Sequence, residues 1–221
     1  MTTLRHQTEA QFNKTRENNP EFARTVDNLL NDAKAFGQGK SALNTGCLAP
    51  DFILPDALGV EVSLKALLSK GRVVVTFYRG SWCPYCNLQL RALSLKVPEI
   101  HKLGAEVVAI SPQIPDESMS IVEKQGLTFP VLSDYNAKVA ETFGVAWPVP
   151  QMLVKHMRED RGLDLERING GNDSVLPIPA TFIINQDGGI AWRFVDIDYR
   201  NRCEPEDIIE QLTLLSLRSL S

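Results

Sequence analysis

Cys83 and Cys86 stand three residues apart in the stretch Phe77-Tyr78-Arg79-Gly80-Ser81-Trp82-Cys83-Pro84-Tyr85-Cys86. Two thiols at this spacing can close a disulfide across one helical turn, one attacking and the other resolving. The apolar run Val73-Val74-Val75-Thr76-Phe77 precedes them and a helix-patterned segment follows, so the pair falls where a strand ends and a helix starts. A helix start offers partial positive charge and unpaired N–H groups, and both stabilise a thiolate. The thiolate is the reactive form of cysteine, and such surroundings move its pKa from about 8.5 to roughly 3.5–7.5. On this geometry Cys83 is the expected nucleophile, outermost and facing outward, whereas Cys86 sits a turn deeper and is more desolvated.

The rest of the composition narrows the setting. The chain has 221 residues, 43% hydrophobic and 23% charged, with a formal net charge of −4. An acidic balance argues against nucleic acid or an anionic membrane surface as partner. No apolar run approaches the roughly 18 residues of a membrane span, and Met1-Thr2-Thr3-Leu4-Arg5-His6-Gln7 has no apolar signal-peptide core. A cytoplasmic location is the expectation. In a reducing compartment a close cysteine pair reads as catalytic or metal-binding. Zinc would need about four Cys or His ligands, but His6, His101 and His156 are scattered and no second Cys-x-x-Cys exists. No metal and no cofactor is expected. Cys47 and Cys203 lack a helix-start context and read as bystanders.

The elements that must position the pair follow from pattern. Residues 1–45 read as an N-terminal helical extension. Within them Asn19-Pro20-Glu21 is a helix start, Phe22, Val26, Leu29, Leu30, Ala33 and Phe36 form an apolar stripe, and Gly37 is a stop. Packing of that stripe on the same chain is expected. Residues 46–221 read as one domain. A short extended segment over 50–56, a turn and a helix capped by Ser63 lead to a buried strand over 72–78. A helix over 83–103 follows, which Pro98 should kink or break, then a second strand over 106–110. Beyond it come a helix over 116–124, an extended Phe129–Leu132 and a helix over 136–143. Residues 145–176 read as an irregular insertion with one short helix near 150–159. The strands 180–185 and 190–195 flank the hairpin turn Gln186-Asp187-Gly188-Gly189, and a terminal helix begins at Glu204-Pro205-Glu206. Strands alternating with helices, then a hairpin and a closing helix, give an α/β class: a central mixed β-sheet flanked by helices.

That order, with Trp-Cys-x-x-Cys after the first core strand, resembles the thioredoxin fold. Residues 46–215 resemble more specifically the peroxiredoxins of the alkyl hydroperoxide reductase and thiol-specific antioxidant family. The stretches that carry the resemblance are Gly46-Cys47-Leu48-Ala49-Pro50-Asp51-Phe52, Val74–Gly80, Phe129-Pro130-Val131-Leu132-Ser133-Asp134 and Thr181-Phe182-Ile183-Ile184-Asn185. The resemblance implies a thiol-dependent peroxidase that takes a hydroperoxide and is re-reduced by thioredoxin or a similar thiol donor. It is also compatible with a homodimer.

The chain departs from the family pattern in three places. If Cys86 takes the place of the peroxide-attacking cysteine, Arg79 stands where the family has proline and Cys83 where it has threonine. Where the family has an arginine before the Phe-Ile-Ile strand, this chain has Pro179, which resembles the cis-proline loop of thioredoxins. The thioredoxin register makes Cys83 the nucleophile; the peroxiredoxin register makes it Cys86. Arg79 is the candidate cation for charge developing on the peroxide. Trp82, Pro84, Tyr85 and Pro179 are candidate lining residues, and Gln113, at the end of the second strand, is a weaker one. Two alternatives stand beside the peroxidase: a protein-disulfide oxidoreductase with little peroxidase activity, and a redox-sensing module acting through the N-terminal helices.

Overall fold

The computed structural model describes residues 2–115, 126–172 and 174–218. The helix expected over 116–124 lies outside them. Along the chain run α1 (Leu4–Asn18), α2 (Pro20–Ala35), β1 (Ile53–Pro55), β2 (Glu61–Ser63), α3 (Leu64–Leu68), β3 (Arg72–Phe77), α4 (Pro84–Lys102) and β4 (Ala105–Ser111). Next come β5 (Val131–Ser133), a 3₁₀ turn over Tyr135–Ala137, α5 (Lys138–Thr142), β6 (Ala146–Pro148), α6 (Gln151–Arg161) and α7 (Leu165–Ile168). The chain closes with β7 (Val175–Pro177), β8 (Ala180–Ile184), β9 (Ile190–Val195) and α8 (Pro205–Arg218). Among the described residues no helix is long and apolar enough to cross a membrane.

The central sheet has the order β5-β4-β3-β8-β9, with β3, β4 and β5 parallel and β8 antiparallel to both β3 and β9. Its middle strands are rich in Val and Ile because both of their faces are covered. The two-residue period of a strand sends Val73, Val75 and Phe77 to one layer, where Phe77, Phe143 and Phe182 meet ring to ring. Val74 and Tyr78 go to the other layer, against Leu90, Leu93 and Ile100 of α4 and Ile208 and Leu212 of α8. Each such side chain contributes roughly 1.5–3 kcal/mol by leaving water. The parallel register Val74↔Val107 brings the C-terminal ends of β3 and β4 to one edge, and Phe77↔Ala180 sets the start of β8 beside them. The mixed sheet with flanking helices is the architecture expected from the sequence.

Several local expectations change. Pro98 does not break α4, which runs on to Lys102 with Val97 and Ile100 buried on either side of it. The proline removes only the hydrogen bond to the Ser94 carbonyl, and core packing holds the rest. The expected helix over 136–143 is broken, since Asn136 (φ 59°) and Ala137 (φ 54°) are left-handed. That reversal lets the Asp134 carboxylate accept the Val139 and Ala140 N–H groups, both at 2.9 Å, as the cap of α5. The insertion is more ordered than its composition suggested. β6 and β7 pair antiparallel at its two ends and enclose both α6 and α7, the latter capped by Asp164. In α2, Asn19 caps as expected and Ala23, Val26, Leu30 and Ala33 are buried, but Phe36 is 86% exposed.

Candidate active site

The loop from β3 to α4 is held from three directions. The Ser81 N–H donates to Gln113 Oε1 at 2.6 Å, and Gln113 Nε2 donates back to Ser81 Oγ at 3.0 Å. Asn87 Nδ2 donates to the Ser81 carbonyl at 2.8 Å, and the Cys83 N–H to the Gly80 carbonyl at 3.1 Å. Gly80 has φ 149°, and a Cβ there would collide with the Trp82 indole, so only glycine lets Trp82 fold back over the loop. Gln113 thus belongs to the site as a clamp on its loop.

Cys83 is the N-cap of α4 and Pro84 its first residue, where a missing N–H costs nothing. The sequence expectation of an outward-facing Cys83 is corrected: Cys83 is 1% exposed and Cys86 0%. Both are free thiols. Two guanidiniums stand near them. Arg79 is buried with its Cζ 4.1 Å from the Tyr199 ring centre and 4.9 Å from that of Trp82. Arg202 is also buried and donates through Nη2 toward Cys86 Sγ at 3.4 Å and Cys83 Sγ at 3.8 Å. Its Nη1 donates to Gln89 Oε1 at 3.3 Å, and Gln89 Nε2 donates to Thr76 Oγ1 at 3.3 Å. Among the described residues neither arginine meets a carboxylate. Two buried cations without a buried anion favour a charged sulfur.

The sulfurs respond in opposite directions. Burial alone pushes Cys83 up, but the hydrogen bond from the Cys86 thiol, the charges of Arg79 and Arg202 and the Cys86 N–H together hold it well below the ordinary cysteine value. Cys83 forms no side-chain cap bond of ordinary geometry, so that last N–H acts mainly through its dipole. Cys86 is pushed well up, first by burial, then by its hydrogen bond to Cys83 and by the charge on that neighbour, against the pull of Arg202 and Arg79. Thiolate character therefore concentrates on Cys83. The sequence named the same sulfur on an exposure argument that does not hold; the flanking cations supply the reason instead.

Above Cys83 lies a cavity of about 410 Å³. Its floor is Arg79, Trp82, Cys83, Pro84, Tyr85 and Tyr199, and its roof is built by α1, α2 and α6 through Lys14, Thr15, Phe22 and His156. Cys86, Arg202 and Pro179 do not line it. Tyr85 is buried with its ring edge-on to Tyr199 at 5.6 Å, and burial and Tyr199 raise its hydroxyl to about 12 against the pull of a hydrogen bond with Thr15 of α1. Phe22 of α2 stacks on His156 of α6 at 4.3 Å, and His156 Nδ1 lies 2.6 Å from Asp160 Oδ2. Arg200 ties the helices down: Nη1 donates to Asp27 Oδ1 of α2 at 2.7 Å, and Cζ stands 4.5 Å from the Phe12 ring of α1. Asp198 holds Arg200 by two further bonds at 2.8 and 2.7 Å. The N-terminal helices therefore pack on their own chain, as expected, and they cover Cys83.

Pro179 is placed differently from its sequence reading. No peptide bond among the described residues is cis, and the Pro179 carbonyl accepts the Asp196 N–H at 3.4 Å. The Ile178 N–H before the proline donates to the Val145 carbonyl at 2.7 Å, and β8 itself is paired on both sides. Cys47 is exposed, and Cys203 is buried with its thiol pushed up by burial and by Asp207. Sequence reasoning missed Tyr199, Arg202 and Gln89. Arg202 lies 116 positions from Cys86, and no spacing rule joins them. The only available signal was the dense run Tyr199-Arg200-Asn201-Arg202-Cys203 between hairpin and helix.

Comparison with known proteins places this geometry in context. The sequence pattern described as the AhpC/TSA family matches residues 45–193. The chain is 38% identical over 103 residues to peroxiredoxin Bcp of Escherichia coli, covering 47% of this chain and 65% of that protein's length. It is 34% identical over 148 residues to a putative peroxiredoxin of Mycobacterium tuberculosis, covering 67% of this chain and 82% of the relative. Among solved structures, peroxidoxin BcpB from Mycobacterium tuberculosis superposes with a TM-score of 0.62 at 23% identity, over 78% of this chain and 98% of that one. The last likeness speaks to the fold, which the two share.

Proposed function

The chain belongs to the AhpC/TSA family, and from that premise we propose that it is a thiol-dependent peroxidase working through a Cys83/Cys86 dithiol–disulfide cycle. The observation that carries this reading is the Cys83 sulfur set in the floor of a covered cavity with two buried guanidiniums at hand. The Cys83 thiolate attacks one oxygen of a hydroperoxide: an S–O bond forms, the O–O bond breaks, and the alkoxide leaves to take a proton from water. Sulfur is oxidised by two electrons and the peroxide reduced by two, leaving a sulfenic acid on Cys83. Arg79, which shares the cavity floor with Cys83, stabilises the negative charge gathering on the departing oxygen. Cys86 then displaces hydroxide from Cys83 to form the disulfide. A dithiol donor of the thioredoxin kind returns both sulfurs to the reduced state by exchange. No prosthetic group enters the cycle, and a reducing compartment such as the cytoplasm suits it.

A protein-disulfide oxidoreductase needs its attacking thiolate open to a protein partner in the reduced form, whereas a peroxidase must admit a protein donor only to the oxidised pair. The reduced Cys83 lies beneath three helices. That burial favours the peroxidase. The test is mass spectrometry after one equivalent of hydrogen peroxide, with Cys83→Ser and Cys86→Ser alongside. The wild type should gain an intramolecular disulfide, Cys86→Ser a sulfenic acid on Cys83, and Cys83→Ser neither. A wild-type rate no faster than free cysteine, combined with efficient reduction of insulin, would overturn the reading.

A further inference from the structure

We propose that Arg202 is a catalytic cation shared by two successive sulfur reactions, and that its principal work is the second, in which it holds Cys86 as the thiolate that closes the disulfide. This rests on the peroxidase reading above and divides its labour between two arginines. Arg79 faces the cavity beside Cys83. Arg202 lies behind it, its Nη2 nearer to Cys86 (3.4 Å) than to Cys83 (3.8 Å). Its other terminal nitrogen is fixed on Gln89, one helical turn beyond Cys86 on the same helix. Thr76 of β3 fixes Gln89 in turn. The guanidinium is thus held by the helix that carries the resolving sulfur.

The second step needs such a group. Cys86 is fully buried and outside the cavity lining, so water cannot readily take its proton or solvate its charge. In the reduced pair the surroundings favour negative charge on Cys83, and a second thiolate beside it is disfavoured. Once Cys83 bears a neutral S–OH group that repulsion is gone, while Arg202 stays in place. The cation then faces one remaining sulfur. Cys86 gives up its proton to the Cys83 hydroxyl oxygen and attacks Cys83 Sγ; the S–S bond forms, the S–O bond breaks, and the protonated oxygen leaves as water. No further oxidant is required, because the peroxide has already accepted the two electrons.

The experiment is a single turnover of the reduced full-length protein with hydrogen peroxide, quenched at intervals into dimedone and read by mass spectrometry. Arg202→Gln should slow disulfide closure by about tenfold or more, the effect of losing an adjacent opposite charge. Dimedone-trapped Cys83 should accumulate, and loss of peroxide should slow much less. Arg79→Gln should behave oppositely, slowing the first step without accumulation of sulfenic acid. Arg202→Lys, which keeps the charge, should recover part of the closure rate and serves if the glutamine variant does not fold. The midpoint of the closure rate against pH should rise in Arg202→Gln, a change that a purely structural role would not produce. Closure at the wild-type rate in Arg202→Gln, or equal slowing of both steps, overturns the proposal while the peroxidase stands. Absence of any disulfide in the wild type overturns both.

Discussion

Glu204 and Leu4 lie 200 positions apart in the chain, yet the Glu204 carboxylate accepts the Leu4 N–H at 3.1 Å and the Arg5 N–H at 2.6 Å. A carboxylate from the start of α8 thereby caps the first turn of α1, where the unpaired N–H groups and the helix dipole favour negative charge. Glu204→Ala should cost about 1 kcal/mol, a fall of about 2–4 °C in melting temperature for a chain of this size. Hydrogen exchange should accelerate through 4–18 and leave β3 and β4 protected. An unchanged melting temperature and exchange pattern would show that the contact holds nothing.

The opposite pKa displacements of the two site cysteines predict how they alkylate. Cys83, held low, should react with iodoacetamide at about pH 6 at a rate that falls only as pH drops through its lowered value. Cys86 and Cys203, both pushed up, should label only in strong alkali or after unfolding. The sign carries over to stability. A charged sulfur favoured in the folded state stabilises it above the ordinary cysteine pKa, and that contribution disappears as pH falls through the lowered one. Urea unfolding of the reduced protein across this window, compared with Cys83→Ser, should show a pH-dependent difference in the wild type alone.

Gly80→Ala should disturb the site without touching a sulfur. The new methyl group meets the Trp82 indole at a φ that L-residues avoid. A loss of about 1–3 kcal/mol is expected, together with a changed Trp82 fluorescence and slower first-step chemistry, since Trp82 packs on Arg79. Wild-type fluorescence and rate would mean that the loop accommodates the methyl group freely.

Unfastening the roof should expose the thiol. Asp27→Ala removes the bond at 2.7 Å to Arg200, and Phe22→Ala removes the stack on His156. Each alone is worth about 1 kcal/mol. Together they should raise Cys83 alkylation and the rate of disulfide reduction by a protein dithiol several-fold, while reaction with hydrogen peroxide changes little. Unchanged access for the bulky reductant would show that the helices do not limit it.

The parts of this structure that were legible in the sequence are those with a short-range signature. The Val-rich β3, the cap of α2 at Asn19, the hairpin between β8 and β9 and the Cys-x-x-Cys at the start of α4 all announce themselves within a few residues. What stayed hidden depends on meetings across the chain. The partner of Cys86 comes from position 202 and the cover of Cys83 from α1, α2 and α6, while Gln113 was legible as a lining candidate but its bond to Ser81 was not. Exposure was the weakest inference. Local geometry puts a helix-start cysteine at the surface, and only the packing of α1, α2 and α6 over it reveals otherwise.

The seven residues from Asp198 to Glu204 connect a hairpin to a helix, yet few of them are idle. Tyr199 lies against Arg79, Arg200 reaches Asp27, Arg202 reaches the sulfurs and Glu204 reaches the chain's own beginning. Consecutive members face in different directions, so each engagement depends on its neighbour's spacing. A connector that looks replaceable thus works as a ruler. Lengthening it by one residue would rotate every later tooth out of mesh, and this stretch should tolerate changes of side chain far better than a change of count.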